Sequence, residues 1–177
     1  MKISLYIASS LDGYIARTGG GIDWLTPMNN ETEDYGYKKF YESIDAVAMG
    51  RKTYDSIKEK DLSEYDGKDL FVFTNRELSS KKGNVYFVKI DPKEFVRNLT
   101  NRGLKHLWVV GGGELIRLFL NENLVDEYII SIVPILLGEG VPLFHAPFNE
   151  QSIQYVSSKD YKNGVVQLVY HKKVEDK

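Results

Sequence analysis

The sequence predicts an α/β fold: one domain over residues 1–177, with a mixed, mostly parallel central sheet flanked by helices and a C-terminal antiparallel hairpin. Three observations predict it. The apolar runs are short, rich in β-branched and aromatic residues, and mostly continuous rather than alternating, as in strands buried on both faces. Segments with helical spacing separate several of these runs. The tail, SIQYVSSKDYKNGVVQLVYHKK, reads as two strands around Asn163-Gly164, a dipeptide that favours a tight turn.

Taken in order, strands are expected at residues 3–8, 46–49, 70–74, 85–89, 107–110 and 128–133. A first helix is expected in NNETEDYGYKKFYESI, where Tyr37, Phe40, Tyr41 and Ile44 share one face; Asn30 and Glu33 have capping-box spacing at its start. RKTYDSI opens a second directly after a strand. DPKEFVRNLTNRG gives a third, with Asp91 as cap, Pro92 at the first position and Gly103 as stop. ELIRLFL gives a fourth. No internal repeat, low-complexity run or linker interrupts the series.

Composition excludes several classes. With no cysteine there is no disulfide framework, thiol nucleophile or thiolate metal site. His106, His145 and His171 lie far apart without ligand spacing, so no metal is expected. A formal net charge of −2, with both signs scattered, lacks the basic stripe of a nucleic-acid binder. No stretch approaches the ~20 apolar residues of a membrane span. The first residues, MKISLYIASSLDG, lack a cleavage-like spacer and do not read as a signal peptide. A cytoplasmic chain is expected.

Three strand-to-helix or strand-to-loop junctions carry the chemistry. LWVVGGGELI places Gly111, Gly112 and Gly113 between a strand and a helix start, where unpaired amides and the helix dipole favour phosphate. The spacing is neither the Rossmann fingerprint nor a P-loop; tight helix–strand packing is the competing explanation. AVAMGRKTYDSI puts Arg51, Lys52 and Thr53 at a helix start, where two cations oppose the dipole unless an anion balances them; a solvated basic turn would look the same. LFVFTNRELS delivers Thr74, Asn75 and Arg76 to a sheet edge, as an ordinary polar loop also would. Together the three would grip a pyrophosphate and one further phosphate, which is the demand made by NADPH.

AVAMGRKTYDSI, GKDLFVFTNR and LWVVGGGELIRLFL, in this order and spacing, resemble the dihydrofolate reductase-like superfamily. SLDGYIA, Trp24-Leu25 and VPILLGEGVPLF resemble its riboflavin-biosynthesis branch, the RibD C-terminal reductase domain. The resemblance runs from about residue 2 to residue 171.

It implies that Ala8 and Ile15 flank a nicotinamide and that residues 12–24 form a mobile loop, to which the run Gly19-Gly20-Gly21 is suited. Gly50, Arg51, Lys52 and Thr53 would hold the pyrophosphate side. Thr74, Asn75 and Arg76 would meet the adenosine 2′-phosphate. Gly111, Gly112, Gly113, Glu114, Leu115 and Ile116 would wrap the central phosphates, and Trp24 would either wall the substrate pocket or belong to the core.

Folate reductases of this fold place an acid just after a Trp-x-x-Pro turn; here Trp24-Leu25-Thr26-Pro27 is followed by Asn29 at that position. Their arginine for the glutamate tail is replaced here by Asp66-Gly67-Lys68, and lysine makes no bidentate fork. The riboflavin branch seats a ribose phosphate on basic residues, whereas residues 26–45 here are rich in acids.

The expectation is therefore an NADPH-dependent reductase acting on a small heterocyclic or ribosylamino-pyrimidine substrate, of the 5-amino-6-(5-phosphoribosylamino)uracil reductase type. Asp12 and Glu33 are the carboxylates considered for proton supply. The competing readings are a dihydrofolate reductase with Glu31 or Glu33 as displaced acid, and a dinucleotide-binding module without catalysis. The resemblance also implies a homodimer; the apolar segment 133–144 could sit at its contact or could equally be core.

Overall fold

The chain's computed structural model describes residues 1–28, 33–58, 62–80 and 82–173. Its strands are β1 (Lys2–Ser10), β2 (Tyr14–Ala16), β3 (Ala46–Gly50), β4 (Asp69–Phe73), β5 (Val85–Val88), β6 (His106–Gly111), β7 (Glu127–Val133), β8 (Val141–Pro142), β9 (Ile153–Asp160) and β10 (Val166–Lys172). Its helices are α1 (Tyr37–Ser43), α2 (Arg51–Lys58), α3 (Pro92–Asn101) and α4 (Gly113–Asn121), with a 3₁₀ turn at Asp23–Met28.

The main sheet has the order β5-β4-β3-β6-β1-β7-β10-β9. The first six of these strands run parallel; β10 and β9 close the sheet antiparallel. The mixed architecture expected from the continuous apolar runs is what forms. Because successive side chains leave a strand on opposite faces, Ile3, Leu5, Leu107 and Val109 face one core, shared with Phe95, Leu99, Ile116 and Phe119 of α3 and α4. Val47, Met49, Val72 and Trp108 face a second core, with Phe40 of α1 and Tyr54 of α2. No described helix is long and apolar enough to cross a membrane.

The helix ends follow local chemistry. The Asp91 side chain accepts from the amides of Lys93 and Glu94, and Gly103 takes φ +86 beyond α3, as expected. The first helix differs. It starts at Tyr37, because Tyr35 (φ 54) and Gly36 (φ 82) break the helical path. Asp34 caps it instead, accepting from Gly36 N and Lys38 N, while Asn30 lies outside the described residues. Strands β4 and β5 end at Phe73 and Val88, so Thr74 and Lys89 belong to the turns that follow. The small β2–β8 ladder, three and two residues long, has too little periodicity to be read from sequence.

Candidate functional site

Parallel strands put all their carboxyl ends on one rim, and a ligand in such a sheet sits there. Here β4, β3 and β6 are neighbours, so their three following turns are adjacent. Gly50 pairs with Phe73 across β3–β4, and Met49 with Gly111 across β3–β6. A methyl group placed on Gly50 would touch Gly112 N at 3.6 Å, and one on Gly112 would touch Thr53 Oγ1 at 3.4 Å. Two of the three expected junctions therefore meet directly.

The three consecutive glycines have separate causes. Gly111 has φ +125, a region that L side chains rarely adopt. Gly112 adopts extended backbone and opens α4. At Gly113 a methyl group would stand 2.8 Å from the carbonyl oxygen of Pro142, so this glycine exists for close packing of α4 on β8. The first amides of α4 have no intrahelical carbonyl, but Ile116 N already bonds Gly112 O at 3.1 Å. Leu115 and Ile116 bury their side chains in the core, so only main chain from this pair could reach the rim. The carboxylate of Glu114 is turned to Arg117 Nη2 (2.9 Å) and His145 Nδ1 (3.3 Å).

The basic helix start is partly balanced from within: Arg51 Nε donates to Asp55 Oδ2 at 2.7 Å. Its Nη1, buried, has no partner among the described residues. Lys52 is exposed. Thr74 Oγ1 accepts from Arg76 N at 3.1 Å, which folds the turn and leaves Asn75 and Arg76 exposed. Beside it lies a cavity of about 360 Å³ lined by Thr74, Asn75, Lys89, Ile90 and Leu118 among others. Lys89, Ile90 and Leu118 were not singled out from sequence. Lys89 follows a strand and Leu118 is an exposed apolar residue on α4, signals too common to stand out.

Ala8, near the end of β1, is half-buried and packs against a rim cluster of Trp24, Tyr35, Val133, Tyr161 and Val165. Ile15, on β2, packs against the α4-side core. The loop expected to be a lid is tied at its base. Asp12 Oδ1 accepts from Leu137 N at 3.1 Å and Oδ2 from Gly138 N at 2.7 Å. The hydroxyl of Ser10, helped by these amides, holds the Asp12 carboxyl below its ordinary range. Further out, Arg17 and Asp23 close a bidentate pair across the glycine turn.

Trp24 is 3% exposed: its ring belongs to the core cluster rather than to an open pocket wall. Its indole Nε1 has no partner among the described residues. Glu33 accepts from Tyr35 N and faces Lys159 at 4.0 Å, lining a second cavity of about 340 Å³ with Tyr161 and Asn163. Asp12 and Glu33 are thus engaged with different loops. Glu31 and Asn29 lie outside the described residues.

Sequence reading missed a polar network beneath this cluster. Tyr6 OH donates to Tyr35 O (3.0 Å), and Gln167 Nε2 reaches both Tyr35 O and Ser131 Oγ at 3.1 Å. Burial pushes the Tyr6 hydroxyl up to about 12, so it remains a donor at neutral pH. Tyr6 sits inside an apolar strand, where sequence gives it only a packing role.

Residues 56–167 match the family described as the RibD C-terminal domain. The chain is 38% identical over 170 residues to the uncharacterized protein YwjB of Bacillus subtilis (strain 168), covering 96% of this chain and 97% of that one. It superposes with a TM-score of 0.90 and 35% identity on a protein of Shewanella sp. PV-4 whose name places it in riboflavin biosynthesis, covering 98% of this chain and 100% of that one. It shares its fold, at a TM-score of 0.74 and 17% identity, with a diaminohydroxyphosphoribosylaminopyrimidine deaminase/5-amino-6-(5-phosphoribosylamino)uracil reductase of Thermotoga maritima; 97% of this chain is covered, and 56% of that one.

Proposed function

The chain belongs to the RibD C-terminal domain family, and on that premise we propose that it is an NADPH-dependent reductase for a small heterocyclic or ribosylamino-pyrimidine substrate. The carrying observation is the adjacency of three turns on β4, β3 and β6, two of them in contact through Gly50, Thr53 and Gly112. The residues fit a dinucleotide. Thr53 and the opening amides of α4 would hold the pyrophosphate, and Arg51 Nη1 would gain the acceptor it lacks. Thr74, Asn75 and Arg76, beside the 360 Å³ cavity, would take the adenosine end and its 2′-phosphate. When bound, NADPH supplies the hydride.

The chain's own contribution is orientation and exclusion of water. Ala8 and Ile15 would hold the reacting face, and Asp12, as an ionised clasp between two loops, would fix the covering segment. Those bonds favour its charged form, so the proton role falls to Glu33. The folate reading has less support: Lys68 donates to Ile44 O at 2.6 Å and lies over the Tyr41 ring, which leaves it poorly placed for a glutamate tail. Assembly as a homodimer is part of the proposed reading.

NADPH oxidation, followed by absorbance with candidate pyrimidines, tests it. Arg76→Ala is expected to weaken NADPH at least tenfold, about 1.4 kcal/mol, and to leave NADH little changed. Equal losses for both would remove the 2′-phosphate role. Glu33→Gln is expected to lower kcat by about a hundredfold or more with NADPH affinity kept; unchanged turnover would move the proton role elsewhere.

A further inference from the structure

The proposed cofactor turns on β4, β3 and β6 leave the other half of the rim to the substrate. There β1 and β7 end together, Ser10 pairing with Val133. The β9–β10 turn rises beside them, because Val166 pairs with Ile132 of β7 and with Asp160 of β9. Ala8 packs here against the cluster of Trp24, Tyr35 and Tyr161. Tyr35 and Tyr161 also line the cavity of about 340 Å³, with Glu33, Lys159, Asp160 and Lys162. The charges of this half cancel before any ligand enters: the described lining holds two carboxylates and two ammonium groups. Lys159 Nζ stands 4.0 Å from Glu33 Oε2 and 4.4 Å from the centre of the Tyr161 ring. On the covering segment, Arg17 is closed on Asp23 through Nε and Nη2. Residues 18–37 contain Asp23, Glu31, Glu33 and Asp34 and no lysine, arginine or histidine. The cofactor half differs, with Lys52 and Arg76 exposed beside its turns.

We infer that the substrate is a neutral, phosphate-free heterocycle, as a free base or a nucleoside. The inference rests on the reductase reading and narrows its substrate class. A phosphate monoester carries about −1.5 to −2 charges at pH 7. To sit here it would draw Lys159 away from Glu33 and leave that carboxylate facing it, and like charges set together are costly. A neutral ring makes no such demand. The carboxylate of Glu33, oriented by Tyr35 N at 3.1 Å, accepts from a ring or amino N–H. The indole Nε1 of Trp24, buried in the same cluster, has no partner among the described residues. A neutral donor among apolar side chains suits a carbonyl oxygen, which costs far less to desolvate than a charged group.

NADPH oxidation by the full chain is followed with two compounds: 5-amino-6-(5-phosphoribosylamino)uracil and the same molecule without its phosphate. The phosphate-free compound is expected to have the higher kcat/KM, by about tenfold or more. Glu33→Gln frees Lys159 and should shrink that ratio, although it slows both reactions. An equal or higher kcat/KM for the phosphorylated compound overturns the inference and leaves the reductase standing. A ratio that Glu33→Gln leaves unchanged overturns its electrostatic basis. If NADPH raises the Tm of the chain but neither compound is reduced, the pyrimidine reading falls, and this inference with it.

Discussion

Gly112 and Gly113 are adjacent and neither has a positive φ, yet they are glycine for different reasons. At Gly113 the obstacle is backbone, the carbonyl of Pro142, which no side-chain rotation relieves. At Gly112 the nearest atom is the hydroxyl of Thr53, in the proposed phosphate seat. Gly113→Ala should therefore destabilise the fold by roughly 1–3 kcal/mol, as overpacking does, seen as a lower Tm. Gly112→Ala should keep its Tm and lose dinucleotide affinity. Equal Tm losses in both variants would mean that the triplet serves packing alone. Trp24 teaches a related lesson: its type and place suggested a pocket wall, but three-dimensional neighbours bury the ring and leave only an unpartnered indole N–H.

At the scale of elements, strand register makes contacts that spacing cannot show. At the end of the sheet away from the rim, Ser4 of β1 pairs with Glu127 of β7 and lies one diagonal from His106 of β6, which pairs with Lys2. Ser4 Oγ lies 2.8 Å from His106 Nε2 and donates to Glu127 Oε2 at 2.7 Å. Lys2 and His171 also reach Glu127, Ser43 faces the other nitrogen of His106, and Asp45 accepts from His106 N. Burial drives the His106 imidazole below its ordinary value, assisted by Lys2 and opposed by Glu127 and Asp45. Burial alone would raise the Glu127 carboxyl, but bonds from Lys2, Ser4 and His171 bring it below its usual range.

Both groups bind protons more tightly in the unfolded chain, so both add stability that is present at high pH and lost on acidification. The His106 contribution is whole above its unfolded value of 6.5 and disappears as pH falls through the lower folded value. The Glu127 contribution, referred to an unfolded value of 4.5, is lost at lower pH still. Tm should fall as pH drops from about 7 to about 5, and His106→Gln should flatten that slope. A wild-type Tm that stays level across this interval would contradict the burial of a neutral imidazole.

Across the whole molecule, the parallel part of the sheet gathers the proposed cofactor seat on one rim, while β10 and β9 close the other end antiparallel. The β9–β10 turn, with Tyr161 and Val165, also packs against Trp24. Continuous apolar runs, the Asp91 cap and the Asn163-Gly164 turn made the layers, helices and tail legible before any coordinates. The turns that end β3, β4 and β6 were legible as turns; that they seat a dinucleotide is the proposal, because tight packing, a solvated basic turn and a polar loop would each look the same in sequence. By itself the sequence determined where strands and helices form and which residue types end them, since these depend on neighbours along the chain. Only the tertiary structure decided that Gly113 serves β8, that Trp24 is buried and that Asp12 clasps a distant loop. Each of those depends on register and on contacts between residues far apart in the chain, which no local pattern encodes.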